Sequence, residues 1–352
     1  MKKRMSFLCP SFVYPLSFLL LSYVLPLIFG LPFRQVQSMA RRFKLVATLL
    51  ALAMVFLLSG CSQPQARPSI DFRDKVDAGV FQSDQSREPE AERPLHIAVS
   101  PTLSQKSTIE AYRLLADHIG AKLGRETILL ERKSYAEINV LLANGGADVA
   151  FLASGAYISY TGLEDIVPLV TQIRFGLPYY HSYIIVAKDS PFCDLEDLKG
   201  KTFAFTDPLS FSGYYVPTYM LRQIGETPET FFKSTIFTYG HEKALQAVAN
   251  RMVDAAAIGS HVHADSLAKG DGLADKVRIV AISEKSGNGP VVVRKGLGDS
   301  EIQALRDIFL AMHEQPELQI ALKSLLVDAY VETSQDLYIF QRQIIREFGT
   351  RE

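Results

Sequence analysis

The sequence predicts an α/β protein of two similarly built lobes, each a mainly parallel sheet flanked by helices. Three observations carry that reading. From Leu95 on, short apolar runs alternate with amphipathic stretches of helical period, the βαβα order of a parallel sheet. A helix-end, turn and strand unit occurs twice: Ala143, Asn144, Asp148, Ala150 and Ser154 fall in register on Ala249, Asn250, Asp254, Ala256 and Ser260. The residues before Leu95 are a different material altogether.

Residues 1–60 carry Lys2, Lys3, Arg4, Arg34, Arg41, Arg42 and Lys44 and no acid. A basic segment leads into the apolar stretch Leu45 to Leu58, which ends in Leu58-Ser59-Gly60-Cys61, the architecture of a signal peptide. The run is short of the roughly 20 residues a membrane span needs. Small residues before a cysteine suit a peptidase site, and the ending resembles the lipobox of bacterial lipoproteins, in which the cysteine takes the lipid. Upstream, residues 5–33 form a second apolar segment broken by Pro10, Pro15, Pro26 and Pro32, and Met39 offers an alternative start just before the basic segment. Residues 61–94 are polar and rich in Pro, Gln, Glu, Arg and Ser, a composition that reads as a flexible tether.

The expected strands are Leu95–Ser100, Thr127–Arg132, Asp148–Ala153, Val167–Ile173, Tyr183–Ala187, Thr202–Phe205, Thr235–Tyr239, Asp254–Gly259, Val277–Ile282 and Val291–Arg294. Helices are expected over Thr108–Leu123, Ala136–Asn144, Gly213–Ile224 and Glu242–Asn250, and again over Asp299–His313, Glu317–Leu326 and Ser334–Phe348. These place one lobe at 95–182 plus 287–352 and the other at 183–286, with chain crossings near Tyr183 and Gly287-Asn288-Gly289. In open α/β sheets, ligands sit beyond the carboxyl ends of the strands. Two facing lobes would therefore form a cleft reached by Ser154, Ser260 and the turn that follows Thr202–Phe205.

That turn, Thr206-Asp207-Pro208-Leu209-Ser210-Phe211-Ser212-Gly213, puts two hydroxyls and a glycine at a helix start. It reads two ways. Ser210 or Ser212 can serve as an ordinary N-cap, with Asp207-Pro208 shaping the loop. Alternatively, the unpaired N–H groups and the positive end of the helix dipole bind a tetrahedral oxyanion without needing a cationic side chain.

Composition narrows the partners. The chain has 37 Lys+Arg and 38 Asp+Glu; without residues 1–60 it keeps 30 basic residues against 38 acidic, a net charge of −8. An acidic surface without a basic stripe argues against nucleic acid. Beyond Cys61 the only cysteine is Cys193, so neither a disulfide framework nor a Cys-rich metal site is expected. His261-x-His263 lies near Asp265, but positions two apart on a helix do not face each other, so no metal is expected. Glu137 and Asp265 read as surface carboxylates. Ser212, His241 and Asp254 can be assembled on paper into a triad, yet no Gly-x-Ser-x-Gly elbow is present.

Together these features resemble the periplasmic phosphate/phosphonate/phosphite-binding proteins of bacterial ABC importers, within the type II substrate-binding fold, over essentially all of 95–326. The resemblance rests on Tyr180-x-Ser182, the run Asp194 to Phe205, Asp207-Pro208-x-Ser210-x-Ser212-Gly213 with Pro217, Gly240-His241-Glu242-Lys243-Ala244, and Ala249-Asn250 with Val253-Asp254-Ala255. It implies that Ser210, the Phe211 N–H, Ser212 and Gly213 grip the oxyanion, that His241 donates to it and tunes binding around neutral pH, and that Tyr135 and Tyr180 line the site. It also implies a binding protein, not an enzyme, monomeric, without cofactor, delivering its ligand to a membrane permease. Phe151-Leu152-Ala153 departs from the polar-tipped aromatic of phosphonate binders, which leaves that side apolar or served by Ser154. A membrane-tethered sensor partnering a kinase is the competing reading.

Overall fold

The computed structural model describes residues 93–349 apart from Ser104; the leader, Cys61 and nearly all of the tether lie outside the described residues. The strands are β1 (Leu95–Val99), β2 (Thr127–Glu131), β3 (Val149–Phe151), β4 (Ile166–Ile173), β5 (Tyr179–Tyr180), β6 (Ser182–Ala187), β7 (Thr202–Phe205), β8 (Ser234–Phe237), β9 (Ala255–Gly259), β10 (Val277–Ile282), β11 (Ser286–Gly287), β12 (Pro290–Arg294) and β13 (Ala329–Glu332). The helices used below are α1 (Gln105–Leu123), α2 (Tyr135–Ala143), α3 (Ser154–Ile158), α4 (Val216–Gln223), α5 (His241–Ala249), α6 (Ser260–Lys269), α7 (Asp299–Ala311), α8 (Gln319–Ser324) and α9 (Ile339–Gly349).

Two sheets organise them. One has the order β13-β4-β12-β3-β1-β2 and the other β10-β6-β9-β7-β8, while β5 and β11 form a two-stranded ribbon. The α/β class holds, but the sheets are mixed rather than mainly parallel. β1 runs parallel to β2 and β3, and β7 to β8 and β9. Strands β6 and β12 run against their neighbours: Ser182 at the start of β6 pairs with Gly259 at the end of β9, and Val291 with Phe151 at the end of β3. The reason is geometric. Helical crossovers return a chain in parallel, whereas β6 and β12 enter from the segment joining the sheets, at the end where the parallel strands finish. The sequence reading also missed β5, β11 and β13, all too short or too polar to stand out.

Both faces of each sheet are covered, which is why the strands read as continuous apolar runs rather than alternating ones. Ile97, Val149, Phe151, Val291 and Val293 join the core under α1, α7 and α8. Their neighbours Ala98, Ala150 and Val292 face α2 and Tyr338 on the other side. In the second sheet Ala204, Ala256 and Ile258 pack with Leu245 and Val248 of α5, while Phe203, Phe205, Ala255 and Ala257 face Leu221 and Phe231.

The repeated unit is the same structure twice. Asn144 and Asn250 close α2 and α5. Ala150 pairs with Ala98 and Ala256 with Ala204. Asp148 Oδ2 accepts the His96 N–H at 2.9 Å, and Asp254 Oδ2 accepts the Thr202 N–H at 2.8 Å. Each aspartate thus ties its strand to the start of the neighbouring one. Asp148 is wholly buried and also accepts from Arg93 and Arg294. Burial alone would raise its carboxyl; the two guanidiniums and the His96 N–H together hold it below the usual carboxylate range. Asp148→Ala should cost about 3–5 kcal/mol, the range for removing one partner of a buried ion pair. Urea unfolding of the variant checks this, and a loss below about 1 kcal/mol, the worth of an exposed pair, would contradict it.

Candidate functional site

The ends of the parallel strands meet at a cavity of about 40 Å³. Its principal wall is the turn after β7. Asp207 Oδ1 accepts the Leu209 N–H at 2.8 Å and the Asp207 carbonyl accepts the Ser210 N–H at 2.8 Å, while Pro208 stiffens the bend. Ser210 is then the N-cap: its Oγ accepts the Gly213 N–H at 3.0 Å. The first turn, Phe211–Tyr215, is π-helical and leads directly into α4, with the N–H groups of both Tyr214 and Tyr215 reaching the Ser210 carbonyl. Among the described residues no hydrogen bond takes up the Phe211 N–H, while the Tyr180 hydroxyl stands against the N–H and the Oγ of Ser212. The cap and the open donor coexist, so the two readings of this turn do not exclude each other. A side chain at Gly213 would put its Cβ 1.7 Å from Thr206 Oγ1, so only glycine fits.

His241, the first residue of α5, is buried beside this turn. Its Nδ1 accepts the Gly259 N–H at 3.1 Å, which leaves the proton of the neutral ring on Nε2, 3.3 Å from Ser210 Oγ. Ser210 Oγ therefore accepts twice and keeps its own O–H as a donor. Burial pushes the His241 pKa down to about 4. The expectation that His241 tunes binding around neutral pH is thereby corrected: the imidazole is neutral there and acts as a fixed dipole.

Of the other expected residues, Tyr135, Ser154, Tyr180 and Phe211 line the cavity with Ser210 and His241, as do Phe151, Leu152 and Ala153. Ser154 Oγ lies 2.9 Å from the Tyr180 hydroxyl, and the Tyr135 N–H donates to Asp207 Oδ2 at 3.1 Å. Burial raises both phenols, with Ser154 and the Oγ and N–H of Ser212 partly offsetting the effect at Tyr180. Ser212 and Gly213 sit behind the wall, where Ser212 is buried beside the Tyr180 hydroxyl. Ser260 does not reach the cavity, because its Oγ accepts the His181 N–H at 3.1 Å and pins the chain entering β6. Asp265 is not a surface group. It is buried and pairs with Lys269 one helical turn on.

Among the lining residues not expected at the site are Thr102, Tyr112, Gln172, Arg174 and His261, the last weighed only as a metal ligand. Arg174 follows β4 and opens a tight turn in which Phe175 and Gly176 both take positive φ. Its guanidinium donates to the Leu325 carbonyl at 2.6 Å and to Gln172 Oε1. An arginine at a strand end ordinarily snorkels to solvent. The available signal was its place at the carboxyl end of a strand, which the other site residues share. His261 stands edge-on to Tyr180 and 6.0 Å from the His241 ring.

A family model described as an ABC transporter phosphonate periplasmic substrate-binding protein matches residues 97–338. The chain belongs to that family. Members are substrate-binding components that take up small ligands and work with a membrane permease. The phosphonates-binding periplasmic protein of Escherichia coli is 27% identical over 241 residues, 67% of this chain and 71% of that one. The phosphate-import protein PhnD of Mycolicibacterium smegmatis is 27% identical over 225 residues, 60% and 70% of the two chains. The fold matches a binding protein of an ABC phosphonate transporter from Pseudomonas aeruginosa (TM-score 0.66, 24% identity, 72% and 86% of the two chains). It also matches PhnD1 from Prochlorococcus marinus in complex with methylphosphonate (TM-score 0.67, 17% identity, 73% and 98%). With such neighbours the architecture is that of a type II periplasmic binding protein.

The buried histidines of this family member give its stability a definite pH sign. A free histidine titrates near 6.5 and His241 near 4 in the fold, so between these values the unfolded chain holds the extra proton. The His241 contribution is complete above about pH 6.5 and is lost as pH falls towards about 4; His261 is shifted the same way. His241→Gln should flatten the dependence of unfolding free energy on pH by about 1.4 kcal/mol per unit between pH 6 and 4.5. Urea unfolding across that window tests it, and an unchanged slope would show that His241 is not buried neutral.

Proposed function

We propose that the chain is a lipid-anchored extracytoplasmic binding protein that closes two lobes on a tetrahedral oxyanion and hands it to an ABC permease. One observation carries the reading: the Phe211 N–H lacks an acceptor among the described residues at a helix start, beside a Ser210 hydroxyl with a proton to give. A helix N-terminus with open donors favours an anion through both hydrogen bonds and dipole. In this role Ser210, Phe211, Ser212 and Gly213 form the grip, His241 shares its Nε2–H between Ser210 Oγ and the anion, and Tyr135, Ser154 and Tyr180 complete the wall.

The lobes are 95–182 with 287–352, and 183–286. The chain passes between them near Tyr183 and near Gly287, next to the β5–β11 ribbon, where Tyr180 pairs with Ser286. Few backbone torsions there need change for a hinge motion. The close fit at Gly155 supports closure as the binding step: a Cβ there would meet the Leu209 carbonyl at 2.2 Å and the Phe211 nitrogen at 2.5 Å. Residues 61–94 would hold the monomer near the permease at high effective concentration, with Cys61 carrying the lipid.

Two outcomes are expected. Replacing both Ser210 and Ser212 by alanine abolishes stabilisation by phosphate, phosphite and methylphosphonate in a thermal-shift assay. The unliganded protein should lose no more than the roughly 0.5–2 kcal/mol of a missing cap. Affinity equal to the parent's would overturn the site. Separately, Cys61→Ser moves the processed protein from membrane to soluble fractions; retention on the membrane would place the anchor elsewhere.

A further inference from the structure

The charge inside the cavity is one-sided. Arg174 is 7% exposed and lines the cavity, yet no carboxylate among the described residues pairs with it; its partners are backbone carbonyls and the neutral amide of Gln172. A buried cation without a direct ion pair is costly, and it persists where something supplies the opposite sign at contact. No aspartate or glutamate lines the cavity. The carboxylate whose charge acts on Arg174 is Asp328, which does not line the cavity and whose Oδ2 accepts the Gly176 N–H at 2.7 Å; Asp207 places its two carboxylate oxygens on the N–H groups of Leu209 and Tyr135. Glu137 and Glu242 line a separate outer cleft of about 780 Å³ that shares no lining residue with the inner cavity.

The size is equally restrictive. A single water needs about 10–15 Å³ on the measure by which this cavity has 40 Å³, so it takes a head group and little beyond it. The remaining polar groups are donors or neutral. Ser210 offers its O–H, freed as a donor because its Oγ accepts from Gly213 and from His241 Nε2–H, and that Nε2–H can be shared with a bound oxygen. His261 Nδ1 is buried and unpartnered among the described residues. The Arg174 turn is itself held rigidly: Asn288 Nδ2 donates to the carbonyls of Gln172 and Leu177, and Tyr338 donates to the Asn288 carbonyl. The cation is therefore built in.

We propose that the cavity takes a compact tetrahedral dianion without a cationic tail, a phosphite- or methylphosphonate-like ligand, with Arg174 as the residue that matches its charge. This rests on the oxyanion reading above and deepens it. An ammonium group on the ligand would have no carboxylate to meet and would face a guanidinium, so aminoalkyl phosphonates are excluded by charge as well as by space.

Isothermal titration of the full chain in detergent, with phosphite, methylphosphonate and 2-aminoethylphosphonate, tests the proposal. The parent should bind phosphite or methylphosphonate at least 100-fold more tightly than 2-aminoethylphosphonate. Arg174→Met should lose at least 100-fold in affinity for the bound dianion, while the unliganded protein melts at the same temperature or higher because a buried charge without a direct ion pair has gone. Arg174→Lys should recover part of the affinity. Comparable binding of 2-aminoethylphosphonate overturns the ligand class. An Arg174→Met protein that keeps its affinity, or an Arg174→Lys protein no better than Arg174→Met, overturns the role of Arg174, and both results leave the oxyanion site standing. A parent that binds none of the three probes overturns the reading underneath.

Discussion

Hydrogen-bond donors that the protein buries and does not satisfy are the constraint around which this structure is arranged. An orphaned buried N–H costs on the order of 1–3 kcal/mol, and the Phe211 N–H is one such at this turn, beside the Ser210 hydroxyl whose proton is likewise uncommitted. The turn cannot relax, because every neighbouring bond is committed. Asp207 holds the loop through Leu209, and Ser210 caps Gly213. Gly213 lies too close to Thr206 for any side chain. From the opposite side the Tyr135 N–H grips Asp207, and Gly155 lets the start of α3 close on the Ser210 turn. Stability is thus drawn from the surroundings to hold a locally unfavourable arrangement, as expected of a binding site.

The internal repeat supplies the means. Each half sets a buried strand against a parallel neighbour, fixes that neighbour's first N–H with an aspartate, and precedes the strand with a nine-residue helix. Tyr135 and His241 are the first residues of those two helices, so the repeat delivers both to the cavity from opposite sides. The second repeat has diverged where it matters chemically. A glycine, Gly155, follows Ser154 in the first unit, and His261 follows Ser260 in the second. One allows close approach of the facing turn; the other fills the space with an imidazole.

How much of this was legible follows from the range of each interaction. All ten expected strands are present, the central ones because both their faces are buried and their apolar runs are unbroken. The serine turn and His241 were legible because strand-to-helix turns have local signatures. Strand direction was not, since it depends on which end of a sheet the chain re-enters, and β6 and β12 look like any parallel strand in sequence. Arg174 was hidden for a related reason. Its guanidinium is buried by Gln172 and by Leu325, a residue 151 positions away, so nothing near it in sequence announces that it faces inward. Ser260 misled in the opposite direction: the repeat aligns it with Ser154, but the neighbouring chain segment had already taken its hydroxyl.

His241 shows why a neutral group suits this position better than a charged one. A second cation beside Arg174 would raise attraction for any anion, whatever its shape. A neutral ring whose Nδ1 is spent on Gly259 presents one N–H in one direction, so it rewards an oxygen only where the geometry is right. Burial keeps the ring in that form through the whole neutral range. Charge recognition and shape recognition are therefore carried by different groups: the guanidinium sets how much negative charge is welcome, while the imidazole, the serine hydroxyl and the open Phe211 N–H set where its oxygens must lie. Separating the two lets a site favour small anions strongly and still reject those whose oxygens fall out of place, which costs a lost partner for each misplaced atom.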